Sequence, residues 1–293
     1  MTSSPLNARP GAVPLSRLLH PSNPRVLVAA HRGAWHRAPE NSLSAIDDAI
    51  GLGADIVECD VRATRDGVLV LMHDDTADRM TTARGPIATM DWCELSARRL
   101  RAGAGGAGAA VTAERPATLA DALVRARDRV ILNIDTKVEA LAGQVAEAVI
   151  DAGMADQVFV KAFIDTEEDI ERARSSPFFG RVPFVPMLRP PSGRLTAELQ
   201  RLAPLRCPMV EVAFATLEEL EAARPELVRL QARLWINTIQ VSHSLDLNDE
   251  RALADPDAVW GRLLSAGAGA IQTDAVAALA AYLAARDPRL TMA

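Results

Sequence analysis

Hydrophobic positions along the chain follow two alternating rhythms. Short, dense apolar runs rich in Val, Ile and Ala alternate with longer stretches whose apolar residues recur every three to four positions. The first pattern predicts buried strands and the second predicts helices with one apolar face. The runs at 26–30, 55–61, 130–136, 157–162, 182–187, 208–213, 232–237 and 269–273 read as eight strands, and 42–50, 119–127, 140–152, 217–230 and 256–266 read as helices between them. Eight such alternations favour an α/β fold of the (β/α)8 TIM-barrel type over an open doubly wound sheet. In that fold chemistry sits at the C-terminal ends of the strands.

Local signals support these elements. Asn41 or Ser42 can cap the first helix, Leu43, Ile46 and Ile50 mark its apolar face, and Gly51 and Gly53 supply its stop. Thr118 followed by Asp121 predicts a capping box for the next helix. Two segments break the alternation. Residues 62–72 read as a hairpin turning at Arg65-Asp66-Gly67. Residues 74–115 read as a small insertion after the second strand, and 102–110, made only of Gly and Ala, as a mobile loop within it. The expected organisation is an N-terminal extension over 1–25, a barrel domain over 26–285 and a tail over 286–293.

Composition narrows the function classes. Of 293 residues, 49% are apolar, enough for one large core, and the net charge of −6 disfavours nucleic acid or an anionic membrane surface as partner. No run is long and uncharged enough to span a bilayer, and 1–25 lacks the apolar stretch of a secretory signal, so a cytoplasmic location is expected. Cys59, Cys93 and Cys207 are odd in number and widely spaced, which predicts buried free thiols rather than disulfides or a zinc cluster.

The chemistry concentrates between residues 31 and 73. Glu58 and Asp60 stand two apart on one strand and share a face with Ile56, while Val57, Cys59 and Val61 face the helices. Two carboxylates inside a barrel repel strongly unless a cation lies between them, and oxygen-only ligands suit Mg2+, Ca2+ or Mn2+ rather than zinc. A solvated pair on an edge strand is the plainer alternative. Asp135 and Lys137 repeat the spacing on the next barrel strand. Asp135 can complete a metal site and Lys137 can meet a phosphate oxygen, or the two can form a local ion pair.

His31 ends the first strand and His73 ends the hairpin strand, positions suited to proton transfer near neutral pH. Arg32 offers a forked donor set for phosphate, and Glu40 can orient Arg32 or His31 or join the metal shell. His20, His36 and His243 read as surface or loop residues. Trp235 can wall the pocket against an apolar part of a substrate, or be a plain core residue. Gly267 and Gly269 allow a tight approach into the last strand.

In this order and spacing the residues His31-Arg32-Gly33, Pro39-Glu40-Asn41, Glu58-x-Asp60-Val61, Thr64-x-Asp66-Gly67, His73-Asp74, Pro116-x-Thr118-Leu119, Asp135-x-Lys137, Trp235-x-Asn237 and Gly269-x-Ile271-x-Thr273-Asp274 resemble the glycerophosphodiester phosphodiesterase family over roughly 27–283. The resemblance implies a TIM barrel that hydrolyses glycerophosphodiesters to glycerol 3-phosphate and an alcohol with one divalent cation. It implies Glu58, Asp60 and Asp135 as metal ligands, His31 and His73 as the acid–base pair, Arg32 and Lys137 as phosphate ligands, and Glu40, Asn41 and Trp235 in support. The family usually carries Glu where this chain has Asp135, and Thr where it has Ser42. The implied partner is a small-molecule glycerophosphodiester, without nucleic acid or stable membrane association; the sequence is silent on oligomeric state. Two alternatives use the same barrel: a phospholipase-type phosphodiesterase or lyase that stops at a cyclic phosphate, and a non-catalytic phosphodiester-binding protein.

Overall fold

A computed structural model describes residues 15–286. Its centre is a closed barrel of eight parallel strands: β1 (Leu27–Ala30), β2 (Ile56–Ala63), β4 (Ile131–Thr136), β5 (Val158–Phe163), β6 (Phe184–Leu188), β7 (Met209–Val212), β8 (Arg233–Ile239) and β10 (Ala268–Thr273). Neighbours in sequence pair in register around the ring, and β1 closes it by pairing with both β2 and β10. β3 (Leu69–Leu71) folds back antiparallel on β2, and β9 (Ser242–His243) does the same on β8. All eight expected barrel strands are present, and helices lie between them.

Side-chain alternation divides each strand into an inner and an outer row. Val28, Val57, Leu132, Val160, Val210 and Ile236 point outward into the layer shared with the helices. Leu27, Ala29, Ile56, Ile131, Phe159, Val185, Met209, Trp235 and Ala270 point inward and form a separate apolar plug. Trp235 is its largest member and meets the Phe159 ring edge-on, centroids 5.8 Å apart. Two residues further along the same inner rows, the side chains become polar: Glu58, Asn133, Lys161, Glu211, Asn237 and Gln272. The barrel thus has an apolar floor and a polar mouth at the strands' C-terminal ends.

The floor is closed from below by residues before β1. Leu18 and Leu19 join the inner plug, so part of the expected N-terminal extension belongs to the barrel core. Residues 1–14 and 287–293 lie outside the described residues, as do most of the segment read for a secretory signal and the expected tail. Arg233 ties this end together by donating to the carbonyls of Leu18, Arg25 and Gly269. A Cβ on Gly269 would lie 2.9 Å from the Arg233 Cβ, so glycine permits this approach. Burial lowers the Arg233 guanidinium to about 10, still charged at neutral pH.

The helix starts follow the expected side-chain caps. Ser42 accepts from the Ala45 amide at the head of Leu43–Gly51. Thr118 with Asp121 caps Leu119–Ala126, and Thr166 with Asp169 and Thr216 with Glu219 form the same reciprocal box. The expected helix over 256–266 instead opens with a π-helical turn, Asp257–Gly261, before Arg262–Ala266. No helix among the described residues is long and apolar enough to cross a membrane.

Two expectations need correction. The Gly/Ala stretch 102–110 is tied into the fold rather than loose: Ala102 donates to the Ala110 carbonyl, Gly106 donates to Arg79, and the Gly103 carbonyl accepts from Glu40. A Cβ on Gly105 would lie 2.4 Å from the Arg79 carbonyl oxygen, so the small residues serve close packing here. Among the cysteines, Cys59 and Cys207 are buried free thiols, but Cys93 is exposed on the short helix Trp92–Ser96.

If Arg233 anchors the barrel floor, Arg233→Met loses charge-assisted bonds to three buried or partly buried carbonyls. We expect unfolding free energy to fall by about 3 kcal/mol in urea titrations, since one such bond is worth roughly 1.5–3 kcal/mol. A loss below about 0.5 kcal/mol would remove that role.

Candidate active site

The mouth begins with a sharp turn after β1. Arg32 and Gly33 both adopt left-handed backbone angles, φ 56° and 79°. Gly33 is required there because a Cβ would lie 2.7 Å from the Ala45 Cβ. Arg32 is the strained member of the turn. Its amide donates to Glu58 Oε2 at 2.9 Å, and its Nη1 donates to both Glu40 oxygens at 3.2 and 3.1 Å. Its Nε lies 3.4 Å from Asp60 Oδ2. The conformation that strains Arg32 also brings its amide to one carboxylate and its side chain to two others.

Glu58, Asp60 and Asp135 come together as their spacing predicted. Asp60 and Asp135 are register partners on β2 and β4, and one oxygen from each of the three carboxylates lies within 4.8 Å of the others. Glu58 and Asp60 are buried, 3% and 1% exposed, which excludes the solvated edge pair. Lys137 places its ammonium 2.7 Å from Asp60 and 2.5 Å from Asp135. Asn41, itself at φ 55°, donates to Asp60 Oδ2 at 2.7 Å and accepts from the Asp60 amide at 2.9 Å. Ser42 therefore caps the helix while Asn41 serves the cluster.

Burial and the charges of Asp60 and Asp135 push the Glu58 carboxyl well above the usual range. Burial acts on Asp60 in the same sense, but Lys137 and Arg32 outweigh it and hold Asp60 below its ordinary value. Burial would depress Lys137, yet the three carboxylates raise it. Of Glu58 and Asp60, Glu58 therefore takes a proton more readily, and the cluster attracts positive charge.

Each histidine is backed by an aspartate. His31 Nδ1 lies 2.9 Å from Asp274 Oδ1, which also accepts from the Trp35 indole at 2.8 Å. His73 Nδ1 lies 2.8 Å from Asp74 Oδ1, and Arg79 holds the same carboxylate through Nε and Nη2 at 2.7 and 2.9 Å. Burial would raise Asp274, but the His31 and Trp35 bonds hold it low, while the Arg79 bonds, opposed by burial, hold Asp74 low. A ring that gives its Nδ1 proton to a carboxylate keeps Nε2 for proton exchange. Arg79 also donates to Glu40 at 2.6 Å, linking the Asp74 pair to the Arg32 pair. Glu40 belongs to this bridge and not to the carboxylate cluster.

The opposite wall carries a network absent from the sequence reading. Lys161 on β5 donates to Glu211 on β7 at 2.7 Å, and Asn237 on β8 donates to Glu211 at 2.8 Å and accepts from the Trp235 indole at 2.8 Å. Lys161 also sits 3.5 Å above the Trp235 ring. Trp235 is fully buried, so it is part of the floor and not a pocket wall, and its ring face is taken by Lys161. His20 and His36 are exposed as expected. His243 differs, since it lines a cavity beside Glu211 and Asn237.

The model of the "Glycerophosphoryl diester phosphodiesterase family" matches residues 31–173, and a second model, "Domain of unknown function", matches 184–283. The chain is 46% identical over 91 residues to glycerophosphodiester phosphodiesterase 1 of Rattus norvegicus, covering 30% of this chain and 26% of that protein. It spans about a quarter of the length of the curated relatives it matches first, 27% and 26%. The structure is similar to that of a glycerophosphodiester phosphodiesterase from Agrobacterium tumefaciens, with 25% identity, a TM-score of 0.62 and coverage of 87% of this chain and 99% of that one. It also shares its fold with an Oleispira antarctica phosphodiesterase solved in complex with the product sn-glycerol-3-phosphate, at 20% identity, TM-score 0.61 and coverage of 88% and 96%. Residues 31–173, which hold the carboxylate cluster and both aspartate-backed histidines, match the glycerophosphoryl diester phosphodiesterase family.

Proposed function

We propose that this barrel hydrolyses glycerophosphodiesters to glycerol 3-phosphate and an alcohol, using one divalent cation and the pair His31 and His73. The observation that carries the reading is the meeting of three carboxylates within 4.8 Å, beside two histidines that each contact an aspartate. The product-bound Oleispira antarctica neighbour supports the substrate class.

The donor set fits a hard cation. All three groups are carboxylates, as Mg2+, Ca2+ or Mn2+ prefer. Asp60 Oδ1 is buried and accepts no well-directed hydrogen bond, although the Lys137 ammonium lies close. Glu58, Asp60 and Asp135 would hold the ion. When bound, it would supply Lewis acidity toward a phosphate oxygen.

The chain's own groups account for the rest. Arg32 and Lys137 bring positive charge to the rim of the cluster, where a phosphodiester would need it. Glu40, Asn41 and Arg79 position these groups and touch no reacting atom in this reading. One histidine takes the proton of the attacking hydroxyl and the other gives a proton to the departing alkoxide. Asp274 and Asp74 fix the two rings with Nε2 available. The nucleophile is water or the neighbouring glycerol hydroxyl, and the latter route passes through a cyclic phosphate. The reading treats residues 26–285 as the catalytic barrel and 74–115 as an insertion beside its mouth.

Two outcomes are expected. His31→Ala and His73→Ala should each lower turnover of a glycerophosphodiester by on the order of 10²–10⁴. Near-normal rates in both purified variants would remove the acid–base assignment. Saturating Mg2+, Ca2+ or Mn2+ should raise the melting temperature of chelator-treated protein by on the order of 5 °C, as expected for an ion that binds only the folded state. Glu58→Gln should lose most of that shift, and an undiminished shift in the variant would place the ion elsewhere.

A further inference from the structure

On the reading that this barrel cleaves glycerophosphodiesters, we propose that its leaving-group pocket selects uncharged polyols and rejects cationic amines such as choline and ethanolamine. The pocket is a cavity at the C-terminal ends of β5–β8, lined by Phe163, Met187, Arg189, Glu211, Asn237 and His243 among others. Its strands follow β4 around the barrel, so it opens at the same mouth as the carboxylate cluster on β2 and β4.

A quaternary or primary ammonium is ordinarily held by an open aromatic face and an unpaired carboxylate. The Trp235 ring beneath this half of the mouth and the Phe163 ring on its wall each carry a cation of the protein's own. The Lys161 ammonium is 3.5 Å from the Trp235 ring centre, and the Arg189 guanidinium carbon is 4.2 Å from that of Phe163. Trp235 is in any case fully buried. The charge of the one carboxylate lining the cavity, Glu211, is already balanced by Lys161, and Asn237 also donates to it. Counting Lys161 and Arg189 against Glu211 leaves an excess of positive charge, so an arriving ammonium meets repulsion where it would need attraction.

Hydroxyl groups suit the same wall. Asn237 donates to Glu211 at 2.8 Å and to Ser242 Oγ at 3.2 Å, so carboxylate, amide and hydroxyl stand side by side. A polyol can donate to the remaining Glu211 lone pairs and accept from the Ser242 hydroxyl, whose own proton is not used by Asn237. Neither exchange requires a net charge on the substrate.

The test compares kcat/KM for glycerophosphoglycerol and glycerophosphoinositol with that for glycerophosphocholine. The polyol diesters should be favoured by about 10-fold or more, within the range a site reaches when its polar groups go unmatched by the wrong substrate. Arg189 is exposed, so Arg189→Ala should fold. It should narrow the gap several-fold, mainly by raising the choline value, and leave the metal-induced melting shift intact. Lys161→Met should narrow the gap further, but it leaves Glu211 unpaired, so Arg189→Ala decides the matter if that variant is unstable. Equal or greater use of glycerophosphocholine by the wild-type protein would overturn the polyol assignment while leaving the phosphodiesterase reading in place. Failure to hydrolyse any of the three would overturn both.

Discussion

Three carboxylates held inside one barrel mouth repel one another, and much of the surrounding structure answers that repulsion. Lys137 lies against two of them, Arg32 reaches Glu58 and Asp60 as well as Glu40 outside the cluster, and Asn41 grips both the amide and the carboxylate of Asp60. The strained turn at Arg32 and Gly33 exists to make those contacts. Removing any one of these partners would leave a buried charge poorly compensated, a larger loss than a surface ion pair would cause. The same repulsion makes the site receptive to a divalent cation.

The barrel makes such a site tolerable by separating it from the core. Period-two alternation sends Val and Leu outward to the helices and Ile56, Ile131, Phe159, Met209 and Trp235 inward to the floor. One further step along the same rows delivers Glu58, Asn133, Lys161, Glu211 and Asn237 to the mouth. Stability therefore rests mainly on a floor and outer layer that the polar residues hardly enter, and the mouth can hold charge without loosening the fold. The second layer of contacts, Asp274 on His31, Asp74 on His73 and Arg79 across to Glu40, then orients the groups proposed to exchange protons or meet phosphate.

Much of this was legible in the sequence, for identifiable reasons. All eight barrel strands appear within a few residues of their apolar runs, because buried parallel strands have an unambiguous pattern. Glu58 and Asp60 announce themselves by standing two apart within an apolar strand. Thr118 with Asp121 and Ser42 work through neighbours in the chain. Contacts between distant positions were not legible: His31 and Asp274 are 243 residues apart, and Arg79 reaches Glu40 across 39. Asp274 lay in a recognised motif without a partner to give it meaning. Lys161, Glu211 and Asn237 could have been found by counting two residues beyond Phe159, Met209 and Trp235. Trp235 stayed open between pocket wall and plain core residue because composition does not say how deep a residue sits, and its full burial decides for the core. The Gly/Ala stretch was read as loose because its packing depends on Arg79, Met80 and Glu40, which the sequence does not place beside it.

In the proposed function the carboxylate cluster serves phosphodiester hydrolysis through a bound cation. The most direct measurement strips the purified protein with chelator, supplies a glycerophosphodiester, and follows glycerol 3-phosphate release as Mg2+, Ca2+ or Mn2+ is returned. The account predicts negligible release without metal and recovery with at least one of the three. Full release from stripped protein, or none with any metal, would contradict it.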